Sequence, residues 1–125
     1  MRGDVVYVFQ KKQGGWISTS KITSPKLGSF GAALAVEDGV LAVGAPLTGG
    51  VNATPGSVLL YRLESGTNTW KQSGDTIHSP SPKQNGRFGS ALAIMDNQLV
   101  VGAPGENNVH IFINFKIITN TMFYF

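Results

Sequence analysis

The sequence predicts an all-β fold of four-stranded antiparallel sheets that recur along the chain, and three observations carry that expectation. First, the 19 residues from Gly28 to Pro46, GSFGAALAVEDGVLAVGAP, return without a gap as GRFGSALAIMDNQLVVGAP from Gly86 to Pro104, identical at 12 positions and 58 residues apart. Such a period suits a small sheet repeated around or along an axis, because one unit cannot bury both of its faces alone. Second, the strands inside the repeat are apolar on both faces: Phe30, Ala32, Leu34 and Val36 alternate with Ala33 and Ala35. A sheet with one wet face would alternate apolar with polar instead. Third, no capped segment of helical period is long enough to cover such strands, so other sheets must cover them.

The elements follow in order. Gly3 to Gln10, GDVVYVFQ, is rich in β-branched and aromatic residues and stops at Lys11-Lys12 and Gly14-Gly15, which reads as a strand and a turn. Its Val6-Tyr7-Val8-Phe9 lines up with Val58-Leu59-Leu60-Tyr61 and with Val109-His110-Ile111-Phe112. Trp16 to Ile22, echoed by Trp70 to Ile77, is a largely polar strand suited to an edge facing water. Ser24-Pro25-Lys26 leads into one copy of the long repeat and Ser81-Pro82-Lys83 into the other.

Within each copy, Phe30–Val36 and Val40–Val43 flank Glu37-Asp38-Gly39, a hairpin signal because Asp-Gly accepts the positive φ of tight turns. Asp96-Asn97-Gln98 stands there in the second copy, with Asn97 expected in the place of the glycine. Polarity rises from the Phe-Gly strand to the Trp strand, as in a four-stranded propeller blade with inner strands between neighbours and an outer strand in water. Ala32, Ala33 and Ala35 suit crowding near an axis. The loop from Leu47 to Gly56 is long, while its counterpart is only Gly105 to Asn108, and loops of unequal length are where such scaffolds vary their binding face. From Asn114 to Phe125 the pattern is lost. This tail either supplies a fourth strand or is sequence unrelated to the repeat, and the second reading is preferred.

Composition narrows the function. The net charge of +3 arises from scattered lysines and arginines with no basic stripe, which argues against nucleic acid or an anionic membrane as partner. The chain has no cysteine, so disulfides and thiolate metal sites are excluded. No apolar run of signal-peptide form opens the sequence, and Val109–Ile118 is too short and interrupted to serve as a transmembrane segment. Neither His78, beside Ser79-Pro80, nor His110, inside a strand, has an adjacent acid and nucleophile, so both read as strand-end or surface histidines and catalysis is not expected.

Phe30-Gly31 with Gly44-Ala45-Pro46, and Phe88-Gly89 with Gly102-Ala103-Pro104, resemble the FG-GAP repeat of integrin α-subunit β-propellers and related proteins. The resemblance covers residues 1–113. It divides them into the last two strands of one blade (3–22), a full blade (28–77) and three strands of the next (86–113), leaving 114–125 as a tail. It implies a propeller fragment of about two blades that acts as a binding or adhesion module, outside the cell or at its surface, with further blades or self-association expected. A carbohydrate-binding propeller and an accessory propeller of a larger hydrolase are the alternatives. Many such repeats carry a calcium loop. Here Glu37 and Asp38, or Asp96 alone, are the only carboxylates at the corresponding turn, too few to encircle the ion, so no cofactor is expected.

Other candidates have plainer readings. Arg2-Gly3-Asp4 spells an integrin-recognition tripeptide but also begins the first strand. Asn52-Ala53-Thr54 is a candidate glycosylation site at Asn52, with Pro55 after it arguing for an unmodified residue. Trp16 and Trp70 are expected to pack the blades, with sugar stacking as the sharper reading. Ser24, Ser79 and Ser81 precede prolines, which marks turns as readily as phosphorylation.

Overall fold

The computed structural model describes residues 4–24, 28–47, 55–113 and, as backbone only, 123–124. The chain is all-β over these residues. Its strands are β1 (Asp4–Lys12), β2 (Gly15–Ser24), β3 (Ala33–Glu37), β4 (Val40–Ala45), β5 (Ser57–Leu63), β6 (Trp70–Gln72), β7 (Ala91–Met95), β8 (Gln98–Ala103), β9 (Asn108–Ile113) and β10 (Phe123–Tyr124). One 3-10 turn, Pro104–Glu106, joins β8 to β9. No described helix is long and apolar enough to cross a membrane.

These strands form three antiparallel sheets: β1-β2, β3-β4-β5-β6 and β7-β8-β9-β10. Registers repeat between the second and third: Val43 faces Leu59 as Val101 faces His110, and Leu41 faces Tyr61 as Leu99 faces Phe112. The alignment of the short Val-led strands is therefore also an alignment of backbone pairing. The fourth position of the third sheet is filled by β10, where Phe123 pairs with Ile113 and Tyr124 with Phe112. Of the two readings of the tail, the fourth-strand alternative matches this placement.

The second sheet is the middle layer. On one face Leu41, Val43, Ala45, Leu59 and Tyr61 join Val6 and Ile22 of the first sheet and Phe30 in one core. On the other face Val40, Ala42, Val58 and Leu60 join Phe88, Leu99, Val101, Ala103 and Phe112 in a second core. Strictly alternate residues of β4 and β5 thus enter different cores, which is the physical meaning of a strand that is apolar on both faces. Sister sheets, rather than helices, cover them.

β3 departs from that pattern. Leu34 is 50% and Val36 64% exposed, although Ala33 and Ala35 are half-buried on the side toward β7. The first sheet has only two described strands and does not reach over β3. The turns also differ in detail from expectation: Asp38 (φ 49°) and Gly39 (φ 74°) both take the left-handed region, whereas in the second copy Asp96 (φ 56°) takes it and Asn97 does not. Aspartate tolerates that region for the same reason as asparagine, a short side chain that bonds locally.

Candidate functional site

Several of the residues singled out by the repeat, the two phenylalanines first, lie where one sheet meets the next. Phe30 and Phe88 are 3% and 0% exposed. Phe30 meets Tyr61 edge-on, with centroids 6.3 Å apart and planes at 79°, and Phe88 meets Phe112 in the same way at 6.2 Å and 80°. The N–H of Gly31 donates to the Gly44 carbonyl at 3.0 Å, and that of Gly89 to the Gly102 carbonyl at 3.1 Å. The Phe-Gly turn is thereby fastened to the Gly-Ala-Pro strand of its own sheet.

The glycines serve close approach between sheets. A methyl group on Gly44 would overlap the Gly89 carbonyl oxygen, and one on Gly31 would sit 3.2 Å from Val6 Cγ2. Among the described residues Gly102 has no second sheet against it, and the nearest neighbour of a methyl group there would be Ala91 Cβ at 3.2 Å. Ala45 and Ala103 are fully buried, whereas Pro46 is buried and Pro104 exposed. Backbone bonding reinforces the junction: Phe88 N–H donates to the Pro55 carbonyl at 2.8 Å beside a parallel bridge between Gly56 and Phe88.

A polar cluster that the sequence did not suggest lies at the same junction. Glu106, placed by the 3-10 turn, sends Oε1 to His110 Nε2 at 2.9 Å and accepts a hydrogen bond from Ser79 Oγ at 2.9 Å. Ser79, Glu106 and His110 are 6%, 7% and 5% exposed, and the His110 ring is tilted against Phe88 with centroids 5.6 Å apart. Ser79 Oγ also accepts the Ser81 N–H at 3.0 Å. His110 is therefore a buried residue and not the surface histidine expected, while His78 is exposed.

Serine, histidine and glutamate in contact invite comparison with a catalytic triad, and the geometry does not supply one. A triad places the acid on one imidazole nitrogen and the nucleophile on the other, so that the ring can take the nucleophile's proton. Here acid and serine converge on the same nitrogen: Ser79 Oγ lies 3.4 Å from the Nε2 that Glu106 holds. With Oε1 accepting from that nitrogen, the ring has no lone pair directed at Ser79. The cluster instead fastens the connection between the second and third sheets to the β8–β9 turn, where Gly105 N–H also donates to the Gly86 carbonyl at 2.9 Å. Glu106 Oε2 is buried without a hydrogen-bond partner among the described residues. A spacing of four residues between Glu106 and His110 was the available signal, and it is weak outside a helix.

The remaining candidates fall as follows. Trp16 is 67% exposed with Lys11 Nζ 5.7 Å from its ring centroid, so it does not pack the sheets; Trp70 is half-buried against the first core. Asp4 opens β1 opposite Ser24, while Arg2 and Gly3 lie outside the described residues, as do Asn52, Ala53 and Thr54. Ser79 is buried and bonded, Ser24 half-buried at the end of β2, and Ser81 exposed. Among the described residues no group of three or more His, Asp and Glu could hold a metal ion. The Lys71–Glu64 ion pair, at 2.7 Å, is on the surface, and its hydrogen bond to Glu64 raises the lysine's pKa.

A scan against protein-family models finds no match for this chain, and a search of the curated proteins finds none either.

Proposed function

We propose that the chain is a run of FG-GAP-type repeats belonging to a β-propeller and works as a non-enzymatic binding or adhesion module, outside the cell or at its surface, for a protein or glycan ligand. The observation that carries this reading is the duplicated junction: two Phe-Gly turns, each locked to its own Gly-Ala-Pro strand, set a phenylalanine edge-on to the aromatic of the third strand with nearly the same geometry. Sheets repeated by one packing operation stack into rings or solenoids, and such scaffolds bind through their variable loops.

Among the described residues, nothing covers either end of the stack. Tyr7 and Phe9, at the positions of buried Leu59 and Tyr61, are 57% and 53% exposed; Val109 and Ile111, at the positions of buried Val58 and Leu60, are 60% and 37% exposed. Patches of this kind ask for a further sheet. The exposed indole of Trp16 favours a glycan as the second reading, since a ring with a free face can stack on a sugar.

The test is a binding screen of the purified chain against arrays of extracellular proteins and of glycans, run beside a panel of ester, peptide and glycoside substrates. The expected outcome is saturable binding without turnover, with glycan binding lost in Trp16→Ala if the second reading holds. Hydrolysis abolished by Ser79→Ala would overturn the non-enzymatic reading.

A further inference from the structure

The connection between the second and third sheets carries a chemistry that the first copy of the repeat lacks. Asn85 is the only asparagine of the chain followed by glycine, and the corresponding pair 58 residues earlier is Leu27-Gly28. An asparagine before glycine is open to intramolecular attack, because a residue without a side chain lets its nitrogen swing toward the neighbouring amide. The nitrogen of Gly86 loses its proton and bonds to Asn85 Cγ, the Cγ–Nδ2 bond breaks, and ammonia leaves with that proton. Water then opens the resulting succinimide at either carbonyl, giving aspartate or isoaspartate. The chain and water supply every atom.

The structure leaves Asn85 exposed and clamps the peptide bond that follows it. Asn85 takes the left-handed region at φ 60°, whereas Gly86 is buried. The Gly86 N–H donates to the Lys83 carbonyl at 2.9 Å, and the Gly86 carbonyl accepts from the Gly105 N–H at 2.9 Å. A methyl group on Gly86 would lie 2.9 Å from the Lys83 carbonyl oxygen and 3.1 Å from Glu106 Oε2, and one on Gly105 would overlap the Asn85 carbonyl oxygen. The reactive peptide bond is thus held on both sides, by its own turn and by the 3-10 turn that carries Glu106. With its proton engaged and its plane fixed, the Gly86 nitrogen cannot rotate onto Cγ until the turns part. The frequency of such local opening sets the rate of any reaction confined to the open form.

We propose that Asn85 is a site of succinimide formation and deamidation guarded by the junction of the second and third sheets, so that opening of this junction is recorded as a covalent change. The isoaspartate product routes the main chain through Cγ, which adds one methylene to the backbone inside the clamp and a carboxylate beside it. The inference concerns the clamp alone. It stands whether or not the repeats close into a propeller, and it needs no ligand.

The test incubates the full chain in mildly alkaline buffer, quenches it in acid and digests it, following Asn85 by peptide mass and isoaspartate by enzymatic methylation. A synthetic peptide of residues 81–90 in the same buffers gives the unguarded rate. The expected result is modification in the folded chain slower than in the peptide by roughly tenfold or more. Guanidinium chloride below the unfolding transition should narrow that gap progressively. Gly105→Ala, which wedges a methyl group against the Asn85 carbonyl, should narrow it without denaturant. Three results would each overturn the proposal: equal rates in chain and peptide, no modification at Asn85 in either, or a gap that neither the denaturant nor Gly105→Ala narrows. The denaturant series on the parent chain decides the matter if Gly105→Ala does not fold.

Discussion

The two interfaces of the stack are built on one plan and finished with different chemistry. Between the first and second sheets, Phe30 packs among Ile22, Leu59 and Tyr61, an apolar setting throughout. Between the second and third, Phe88 packs against Phe112 and His110, and the histidine brings Glu106 and Ser79 into the interior with it. The position that changes is the second residue of the Val-led strand, Leu59 in one copy and His110 in the other. The connection before it changes in parallel, from the loop of 47–56 to a four-residue turn that carries Glu106. Backbone geometry is set by the glycines and the buried aromatics, which both copies share, so the side chains around them have room to diverge. The lesson is that the junction tolerates a polar substitution only when the adjacent turn supplies its partner.

That comparison is sharpened first by His110→Leu, which makes the second interface resemble the first. Alone, the change leaves the buried Glu106 carboxylate with the Ser79 hydroxyl as its remaining partner, and chemical denaturation is expected to show a loss of about 1–3 kcal/mol. Adding Glu106→Met and Ser79→Ala, which removes the carboxylate together with the hydroxyl that donates to it, should recover most of it, because replacing all the partners by apolar groups is nearly neutral. Equal stability of His110→Leu and the parent would mean that the cluster holds nothing together.

A smaller effect is expected at Tyr61, whose counterpart is Phe112. Burial raises the Tyr61 phenol above its ordinary 10.0, since ionising it there forfeits solvation. The unfolded chain loses this proton at lower pH than the folded one, so the contribution to stability is complete below the ordinary value and is lost as pH rises through the folded one. Unfolding free energies at about pH 9 and about pH 11 should differ less in Tyr61→Phe than in the parent. An unchanged alkaline slope in Tyr61→Phe would place the effect elsewhere.

Much of the architecture was legible because repetition exposes it. Two copies of the 19-residue stretch located the β3–β4 and β7–β8 hairpins and the both-sided burial of β4, though not of β3. Less legible were features that depend on what stands beyond a strand. Leu34 and Val36 have the same character as Leu92 and Ile94, and only the absence of inner strands in the first described sheet leaves the former exposed. Trp16 was expected to pack and instead lies in water beside Lys11, because among the described residues nothing lies against that edge of the first sheet. The Ser79–Glu106–His110 cluster was illegible for another reason: its members come from three connections or strands, and their meeting depends on a turn whose shortness, not composition, brings Glu106 under the connector.

The central claim is that Gly44 is small because another sheet touches it, and that Gly102, its equivalent, faces no such sheet among the described residues. Both lie in extended backbone, so replacing each by alanine in turn isolates space from conformation. Equilibrium denaturation of Gly44→Ala is expected to show a loss of about 1–3 kcal/mol from overpacking against Gly89. Gly102→Ala is expected to stay within about 1 kcal/mol of the parent in either direction. Equal costs at the two sites, or a larger one at Gly102, would contradict the stacked arrangement.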